Sequence, residues 1–406
     1  MNPGFTACYE KYRQIFSGCR LPLAFVDLDN FDKNVAFVAK TQEKTGKTIR
    51  IASKSIRSPD LIRRVFDMGG NAFRGILSFT VEEACFLADN GFDDIVVAYP
   101  SIQKTDLALA AEKTAQGCNI CLMADCREHL AAISSAARDT GTIIKVCLDI
   151  DMSFRPFGKF FHMGVRRSPV HGVDQALALA LAAKDMPGIQ LAGIMGYEAQ
   201  IASVNDDLPC AGIKNMLIRA FKKISARELA GRRIAIADAL TQAGISIEFF
   251  NGGGSGSLVS TGADTAVTEV TAGSAFYAPG LFRYFHEVSF LPSAFFALQT
   301  ARIPAPGIIT CQGGGYTASG EVNVNRLPWP VMPEGMSYLP MEGAGEVQTP
   351  LKLAKKCRSP AIGDPVFFQH AKAGELCERF NCLYLVEQGK IAGKSRTYRG
   401  LGKAFL

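Results

Sequence analysis

The sequence predicts an α/β protein: a closed (β/α)8 barrel of the TIM type with a C-terminal all-β domain that also takes in the N-terminal strand. Three observations predict it. Apolar strands alternate with amphipathic helices as far as about residue 275, the pattern of parallel βα units. About nine strands can be counted, one more than a closed barrel needs. Beyond residue 280 the texture changes to short β-rich pieces separated by Pro- and Gly-rich turns.

The elements follow in order. LAFVDL (23–28) reads as a strand, with a helix beginning near Asp29. TIRIASK (48–54), FRGILS (73–78), DIVVAYP (94–100), NICLMAD (119–125) and IIKVCLDID (143–151) come next. LAGIMGY (191–197), IEFFNGG (247–253) and AVTEVTAG (266–273) complete the set. Between them lie helices such as SPDLIRRVFDMGG, with a serine cap, proline in the first turn and a glycine stop. In TVEEACFLADNG, Thr80 and Glu83 suggest a capping box and Gly91 an end. Setting the first strand aside leaves eight, from residue 48 to 273, and the orphan has to pair with the C-terminal region. The domains expected are a barrel over 26–280 and a β-rich domain over 281–406 that includes 1–25. GEVNVNRLPWPVMPEGM and EGAGEVQTP read as long functional loops.

Composition limits the function classes. Of 406 residues, 48% are hydrophobic and 20% charged, an ordinary globular balance that needs no staple. The net charge of +6 is mild, and lysines and arginines are scattered rather than set in a stripe with aromatics. This argues against nucleic-acid binding. Twelve cysteines are spread along the chain, many inside apolar runs. Cys118 and Cys121 form a C-x-x-C with no second pair at zinc-ribbon spacing, so they read as small apolar fillers. A reducing, cytoplasmic setting is expected. MNPGFTACYEKYRQIF lacks the pattern of a signal peptide, and no run of about twenty apolar residues predicts a membrane helix.

The chemistry gathers at the C-terminal ends of the strands, the face on which barrel sites are built. Lys54 ends the first barrel strand. A lysine there is either a surface residue snorkelling outward or an amine of lowered pKa that forms an imine. NGGGSGS (251–257) and TAGS (271–274) end the seventh and eighth strands. Glycines let the backbone approach an anion, and successive amides with serine hydroxyls donate to phosphate oxygens. The loops after strands seven and eight are the usual phosphate position in such barrels. The same run lacks the G-x-G-x-x-G order, and no acidic residue ends a suitable strand, so a nicotinamide-binding reading ranks below.

At these residues the sequence resembles the fold-type III pyridoxal-phosphate enzymes, in particular the group of D-threonine aldolase and D-serine dehydratase. The resemblance rests on LAFVDLDNFDKNV, ASKSIRSPDL, LDIDMSFR, GIMGYEAQ, NGGGSGS, TEVTAGS and GDPVFFQHAKAGE, in that order. It implies an alanine-racemase-like barrel whose first strand belongs to the β-domain. It implies that Lys54 carries the cofactor as a Schiff base and shuttles the proton. Gly253, Gly254, Ser255, Gly273 and Ser274 match the phosphate cradle, Arg155 an arginine at the phenolic oxygen, and Tyr197 a residue against the ring. Arg155 has the alternative of pairing with Asp149 or Asp151, and Tyr197 that of barrel packing.

Two departures from the family stand out. Where racemases of this fold place an arginine beside the pyridine nitrogen, this chain has Thr271. The group's divalent metal is bound by His-x-Cys or His-x-Asp in the β-domain, whereas here His370 is followed by Lys372, a poor metal ligand. Lys372 would instead hold a substrate hydroxyl or carboxylate as a point charge. Cys377 joins His370 as a metal ligand only if its loop folds back. The long connection after Arg155 brings His162, Arg166 and Arg167 toward the mouth, as a carboxylate clamp or a solvated loop. The expected activity is a pyridoxal-phosphate lyase on a D-β-hydroxy amino acid, with Lys54, His370 and Lys372 as catalytic candidates. An amino-acid racemase and a non-catalytic cofactor carrier are the alternatives. The expected partners are a small amino-acid substrate and a second copy in a homodimer.

Overall fold

In the computed structural model, which describes residues 5–405 apart from Val322 and Ala373, the expected strand count resolves into two sheets. A helix α1 (Phe5–Ile15) leads to strand β1 (Leu23–Asp27) and helix α2 (Leu28–Gln42). Asp27 starts α2 by accepting the Asn30 amide at 3.0 Å, and the Tyr12 hydroxyl donates to the same carboxylate at 2.6 Å.

From Thr48 the chain repeats strand and helix. It forms β2 (Thr48–Ala52), α3 (Pro59–Gly69), β3 (Phe73–Ser78), α4 (Val81–Asp89), β4 (Ile95–Val97), α5 (Lys104–Ala115), β5 (Ile120–Ala124) and α6 (Arg127–Thr140). Then come β6 (Ile144–Asp149), α7 (Val173–Asp185), β7 (Ile189–Gly196), α8 (Ala199–Ala202), α9 (Gly212–Gln242), β8 (Phe249–Gly252), α10 (Leu258–Gly262), β9 (Glu269–Ala272) and α11 (Ser274–Tyr277). Strands β2 to β9 pair in parallel and in chain order, and β9 returns to β2 with Thr48 opposite Glu269 and Ile51 opposite Ala272. The barrel is closed.

Its strands are buried on both faces, as parallel strands under helices must be. Ile49, Ile51, Ile76, Val146 and Ile194 join the apolar layer shared with the helices. Val96, Cys121, Met123, Cys147, Ala192 and Phe249 form a separate cluster. Cys121 is thus a buried filler, and all twelve cysteines are free.

Two helix starts differ from expectation. Ser58 makes no cap on α3; its hydroxyl instead meets Ser395 Oγ at 2.6 Å. Thr80 does cap α4, accepting the Glu83 amide at 3.1 Å, but the Glu83 carboxylate returns to the amide of Phe79, at 2.7 Å. A tertiary partner competes for that carboxylate, as shown below.

The remaining strands are β10 (Ala294–Ala305), β11 (Ile308–Gln312), β12 (Trp329–Met332), β13 (Met336–Tyr338), β14 (Gln348–Leu353), β15 (Pro365–Gln369), β16 (Cys382–Glu387) and β17 (Lys390–Arg396). They form one sheet, and β1 lies inside it, antiparallel to β10 and parallel to β16. The extra strand therefore belongs to the β-domain. GEVNVNRLPWPVMPEGM is not simply a loop: it contains β12 and the start of β13. Tyr12 and Phe16 of the N-terminal segment pack on Phe25, and Tyr9 meets Phe367, sealing the outer face of this sheet.

Candidate functional site

Lys54 sits in a single 3-10 turn, Ser53–Ser55, directly after β2. Ser53 anchors the turn by donating to the Leu77 carbonyl at 3.1 Å on β3. The Lys54 side chain is open to the barrel mouth, yet its pKa is held below the usual lysine value. Burial by the surrounding wall is the main cause, followed by the positive charges of Lys372, Arg57 and Arg167, with Glu375 opposing. A lowered pKa is what an amine needs to act as a nucleophile toward a carbonyl.

Opposite this turn, two loops meet. Gly253 has φ +80°, a left-handed conformation that favours glycine. The Ser255 hydroxyl accepts the amides of Gly273 (3.2 Å) and Ala275 (3.0 Å), tying the loop after β8 to the loop after β9. Gly273 in turn presses on the lysine's turn: a Cβ there would stand 2.7 Å from Ser55 Oγ and 2.8 Å from Ala52 Cβ. Lys54, Gly253, Gly254, Ser255, Gly273 and Ser274 are therefore brought together. The amides of Ser255, Gly256 and Ser274 have no hydrogen-bond acceptor among the described residues, leaving donors for an anion.

Beneath the cradle is a buried pair that sequence reasoning missed. Glu198 accepts the Gly253 amide (3.1 Å) and the Ser257 hydroxyl (3.0 Å), and it also meets Thr261 Oγ1. Arg233 of α9 pairs with Glu198 at 2.5 Å and donates to the Gly196 carbonyl at 2.6 Å. The signal available was Glu198 beside Tyr197 in GYEAQ, but nothing local names its partner 35 residues away.

Tyr197 directly follows β7, and its ring lies against the cradle: a Cβ on Gly254 would be 3.2 Å from Cε2. Its hydroxyl meets Ser203 Oγ at 2.7 Å. Arg155 does not join this group; it pairs with Asp151 and donates to Ser153 Oγ at 2.8 Å. Arg167 does join it. Its guanidinium lies 5.7 Å from the Tyr197 ring centre and 3.2 Å from Asp149. The chain after β6 doubles back through the Phe154–Met163 bridge, which returns Arg167 to the mouth. Burial, only partly offset by Arg167, pushes the Asp149 carboxyl up to about 6. Arg166 is exposed, and His162 leaves Nε2 buried without a partner among the described residues.

Thr271 is buried, exchanging hydrogen bonds with Asn251 at 2.9 and 3.0 Å. Asn251 also donates to Glu269 at 2.8 Å, and Glu269 holds the fully buried Arg50 through two bonds of 2.7 and 2.9 Å. A polar column thus runs across the barrel to Thr271.

Among the β-domain candidates, His370 directly follows β15 and is almost completely buried, edge-on to Tyr277 at 6.1 Å between ring centres. Neither ring nitrogen has a hydrogen bond of ordinary geometry, although the Ala294 backbone lies alongside. Burial pushes its pKa down to about 4, so the ring is neutral. Lys372 is half-buried and donates to Ser319 Oγ at 2.9 Å. Cys377 is buried, its thiol directed at the Ile56 carbonyl at 3.3 Å and pushed up to about 12 by burial. Among the described residues, the one trio of potential metal ligands is Asp125, Cys126 and His129, and it includes neither His370 nor Cys377.

Behind the Lys54 turn, Glu83 is fully buried and accepts the Tyr398 hydroxyl at 2.8 Å. Burial raises its pKa to about 7, against the hydrogen bonds from Phe79, Ser53 and Tyr398. A carboxyl raised on folding contributes stability that is present below its ordinary pKa and lost as pH rises through the folded value. Glu83→Gln, which stays neutral, is therefore expected to remove a loss of about 3 kcal/mol between about pH 5 and pH 8. Urea unfolding of both proteins at the two pH values checks this; parallel losses would refute it.

The comparisons with known proteins agree with this fold. The profile of the alanine racemase N-terminal domain matches residues 26–279. D-threonine aldolase of an Arthrobacter species is 24% identical over 303 residues, 74% of this chain and 73% of that protein. The crystal structure of D-threonine aldolase from Filomicrobium marinum superposes with a TM-score of 0.81 at 19% identity, covering 94% of this chain and 95% of the other. A D-threo-3-hydroxyaspartate dehydratase variant in its metal-free form superposes at 0.73 and 19% identity, covering 93% and 97%. The profile spans more than half of the sequence and coincides with the closed barrel, and so the chain belongs to the alanine racemase N-terminal domain family, the fold-type III pyridoxal-phosphate enzymes.

Proposed function

We propose that this protein is a pyridoxal-phosphate lyase acting on a D-configured β-hydroxy amino acid, with the cofactor carried on Lys54. The observation that carries the reading is the contact between the Lys54 turn and Gly273, which sets an amine of lowered pKa against a loop with free amides. The residues fit the cofactor. The amides of Ser255, Gly256 and Ser274 would hold its phosphate, with Gly253, Gly254 and Gly273 giving the close approach. Tyr197 would flank the ring, Arg167 rather than Arg155 would approach its phenolic oxygen, and Thr271 would meet its nitrogen. When bound, pyridoxal phosphate supplies an electron sink for negative charge developing at Cα.

The chain's own groups then act around it. Lys54 Nζ takes or returns the proton at Cα. The cations at the mouth bind the substrate carboxylate, and Lys372 stands as the donor to the β-oxygen. Neutral His370 lines the wall. The relatives include a D-threonine aldolase and a D-threo-3-hydroxyaspartate dehydratase, which supports the lyase class. Racemization is the second reading, and Thr271 opposes it because a neutral hydroxyl supplies no fixed positive charge at the pyridine nitrogen. A bare cofactor carrier has no use for the β-domain.

The test is to incubate purified protein with D- and L-β-hydroxy amino acids in deuterated water. An aldehyde or a keto acid from the D-enantiomers is expected. Deuterium entry with chiral inversion and neither product would establish the racemase instead.

We also propose a homodimer. Tyr99, Ile102, Phe157 and Phe160 are 62%, 64%, 72% and 97% exposed on loops after β4 and β6, an apolar rim that a second copy would cover. No helix among the described residues is long and apolar enough to cross a membrane. The free cysteines support a cytoplasmic setting.

A further inference from the structure

The chain resembles enzymes that pair a histidine with a cysteine or aspartate around a divalent ion, and one of its structural neighbours is described in a metal-free form. The residues here do not fit that ion. His370 makes no hydrogen bond of ordinary geometry through either ring nitrogen among the described residues, but the position two residues on is an ammonium. A lysine ammonium has no lone pair to give and repels a cation beside it. Cys377 is turned to the Ile56 carbonyl, and burial opposes the thiolate that a metal requires. No carboxylate, thiol or second imidazole joins His370 in a trio of ligands among the described residues.

What the site has instead is a fixed cation. Lys372 is held by Ser319 Oγ and makes no ion pair among the described residues, whereas Arg57 is paired with Glu378 and Arg167 with Asp149. The loop that carries it packs on the lysine's turn, since a Cβ on Gly374, two residues on, would collide with the Lys54 carbonyl oxygen. Of the neighbouring charges, that of Lys372 acts most strongly on the Lys54 amine.

Resting on the lyase reading above, we propose that this enzyme needs no divalent ion, and that Lys372 Nζ takes the ion's part at the β-oxygen of the substrate, committing the site to loss of that oxygen. The proton balance favours elimination. Lys54 Nζ accepts the Cα proton; the Cβ–O bond breaks with its electron pair going to oxygen; Lys372 gives that oxygen a proton, and water leaves. Both lysines return to their starting states by proton exchange with solvent, and the unsaturated product hydrolyses to a keto acid and ammonia. Aldol cleavage needs the opposite service, a base for the hydroxyl proton. An ammonium cannot supply it, and the His370 ring is almost completely buried.

The experiment combines metal analysis, product analysis and variants of the holoenzyme. Protein dialysed against a chelator is expected to hold under a tenth of an equivalent of metal and to release keto acid and ammonia at an unchanged rate. Stoichiometric metal that disappears in His370→Ala, or a tenfold gain in rate on adding zinc or manganese, would overturn the proposal. So would an aldehyde product. Lys372→Met is expected to keep the cofactor's visible absorption band but to lose about a hundredfold in kcat, with Lys372→Arg recovering part of it. Unchanged kcat in Lys372→Met refutes the role. Lys372→Asp is expected to bind zinc in solution, which the wild type does not, and failure to do so counts against the exchange of metal for lysine. If the wild type shows no cofactor band and turns over no D-β-hydroxy amino acid, the lyase reading itself has failed. That result is visible in the first measurement.

Discussion

Lys54→Ala is expected to abolish the visible absorption band of covalently held pyridoxal phosphate and to lower turnover on the order of 10⁴-fold or more. The size follows from the role proposed for one amine: it would carry the cofactor and move the proton at Cα, so both functions would go at once. The fold should survive. Lys54 is open to the mouth, and its turn is anchored by neighbours, through Ser53 to Leu77 and through Arg57, whose guanidinium donates to the Lys54 carbonyl at 3.0 Å. Circular dichroism and thermal unfolding of the variant should match the wild type. An undiminished band in Lys54→Ala would refute the assignment, whatever the activity. Phosphate binding by the cradle is separable: the variant should still take up free cofactor weakly, because the amides of Ser255, Gly256 and Ser274 are untouched.

The second large effect concerns stability. Arg50 is 1% exposed and lies inside the barrel over the Phe249 ring, at 5.2 Å. Burial opposes its charge, yet Glu269 and Asp94 outweigh that and raise its pKa. Glu269→Ala removes both bonds from the carboxylate and strands the guanidinium with Asp94 alone. The expected cost is about 3–5 kcal/mol, the range for breaking one partner out of a buried pair. Denaturant unfolding measures it directly. A loss below about 1 kcal/mol would mean that the interior is wet enough to solvate Arg50. Replacing the pair together, as Arg50→Met with Glu269→Leu, should recover much of the loss, because buried pairs often contribute little net stability over apolar residues of similar size. The double variant also disconnects Asn251 from Glu269, and so asks whether Thr271 keeps its orientation without the column beneath it.

These two predictions draw on different amounts of sequence information. Lys54, the two glycine–serine loops and the ninth strand were legible because each depends on local pattern. A strand buried on both faces is an apolar run, a loop with free amides is a cluster of glycines and serines, and chain order assigns each to its strand. Thr271 and Lys372 were legible in the same way, by position within short motifs. Arg50 was not. Its partner Glu269 lies 219 residues away, and only closing the barrel puts β2 beside β9. Glu83 looked like half of a capping box, but Tyr398, 315 residues on, takes part of its carboxylate.

The arginines show the limit most clearly. Arg155 stands nearest the end of β6 in sequence and was the natural candidate, yet it closes on Asp151 four residues back. Arg167 reaches Tyr197 and Asp149 because the intervening chain turns back on itself. Spacing along a loop says how far a side chain can reach, not which way the loop returns.

By itself, then, the sequence determined the alternation of strands and helices, the barrel count with its orphan strand, the lysine just after β2 and the glycine–serine loops on the last two strands. All of these are set by hydrophobic period and backbone freedom, which act over a few residues. Only the tertiary structure decided which arginine enters the mouth, that Glu198 and Arg233 brace the loop after β8, that His370 is buried, and that Lys372 lies near Lys54 with no ion pair among the described residues. Those facts depend on burial and on contacts between residues far apart in the chain. They arise only when the barrel closes and the β-domain is laid against it.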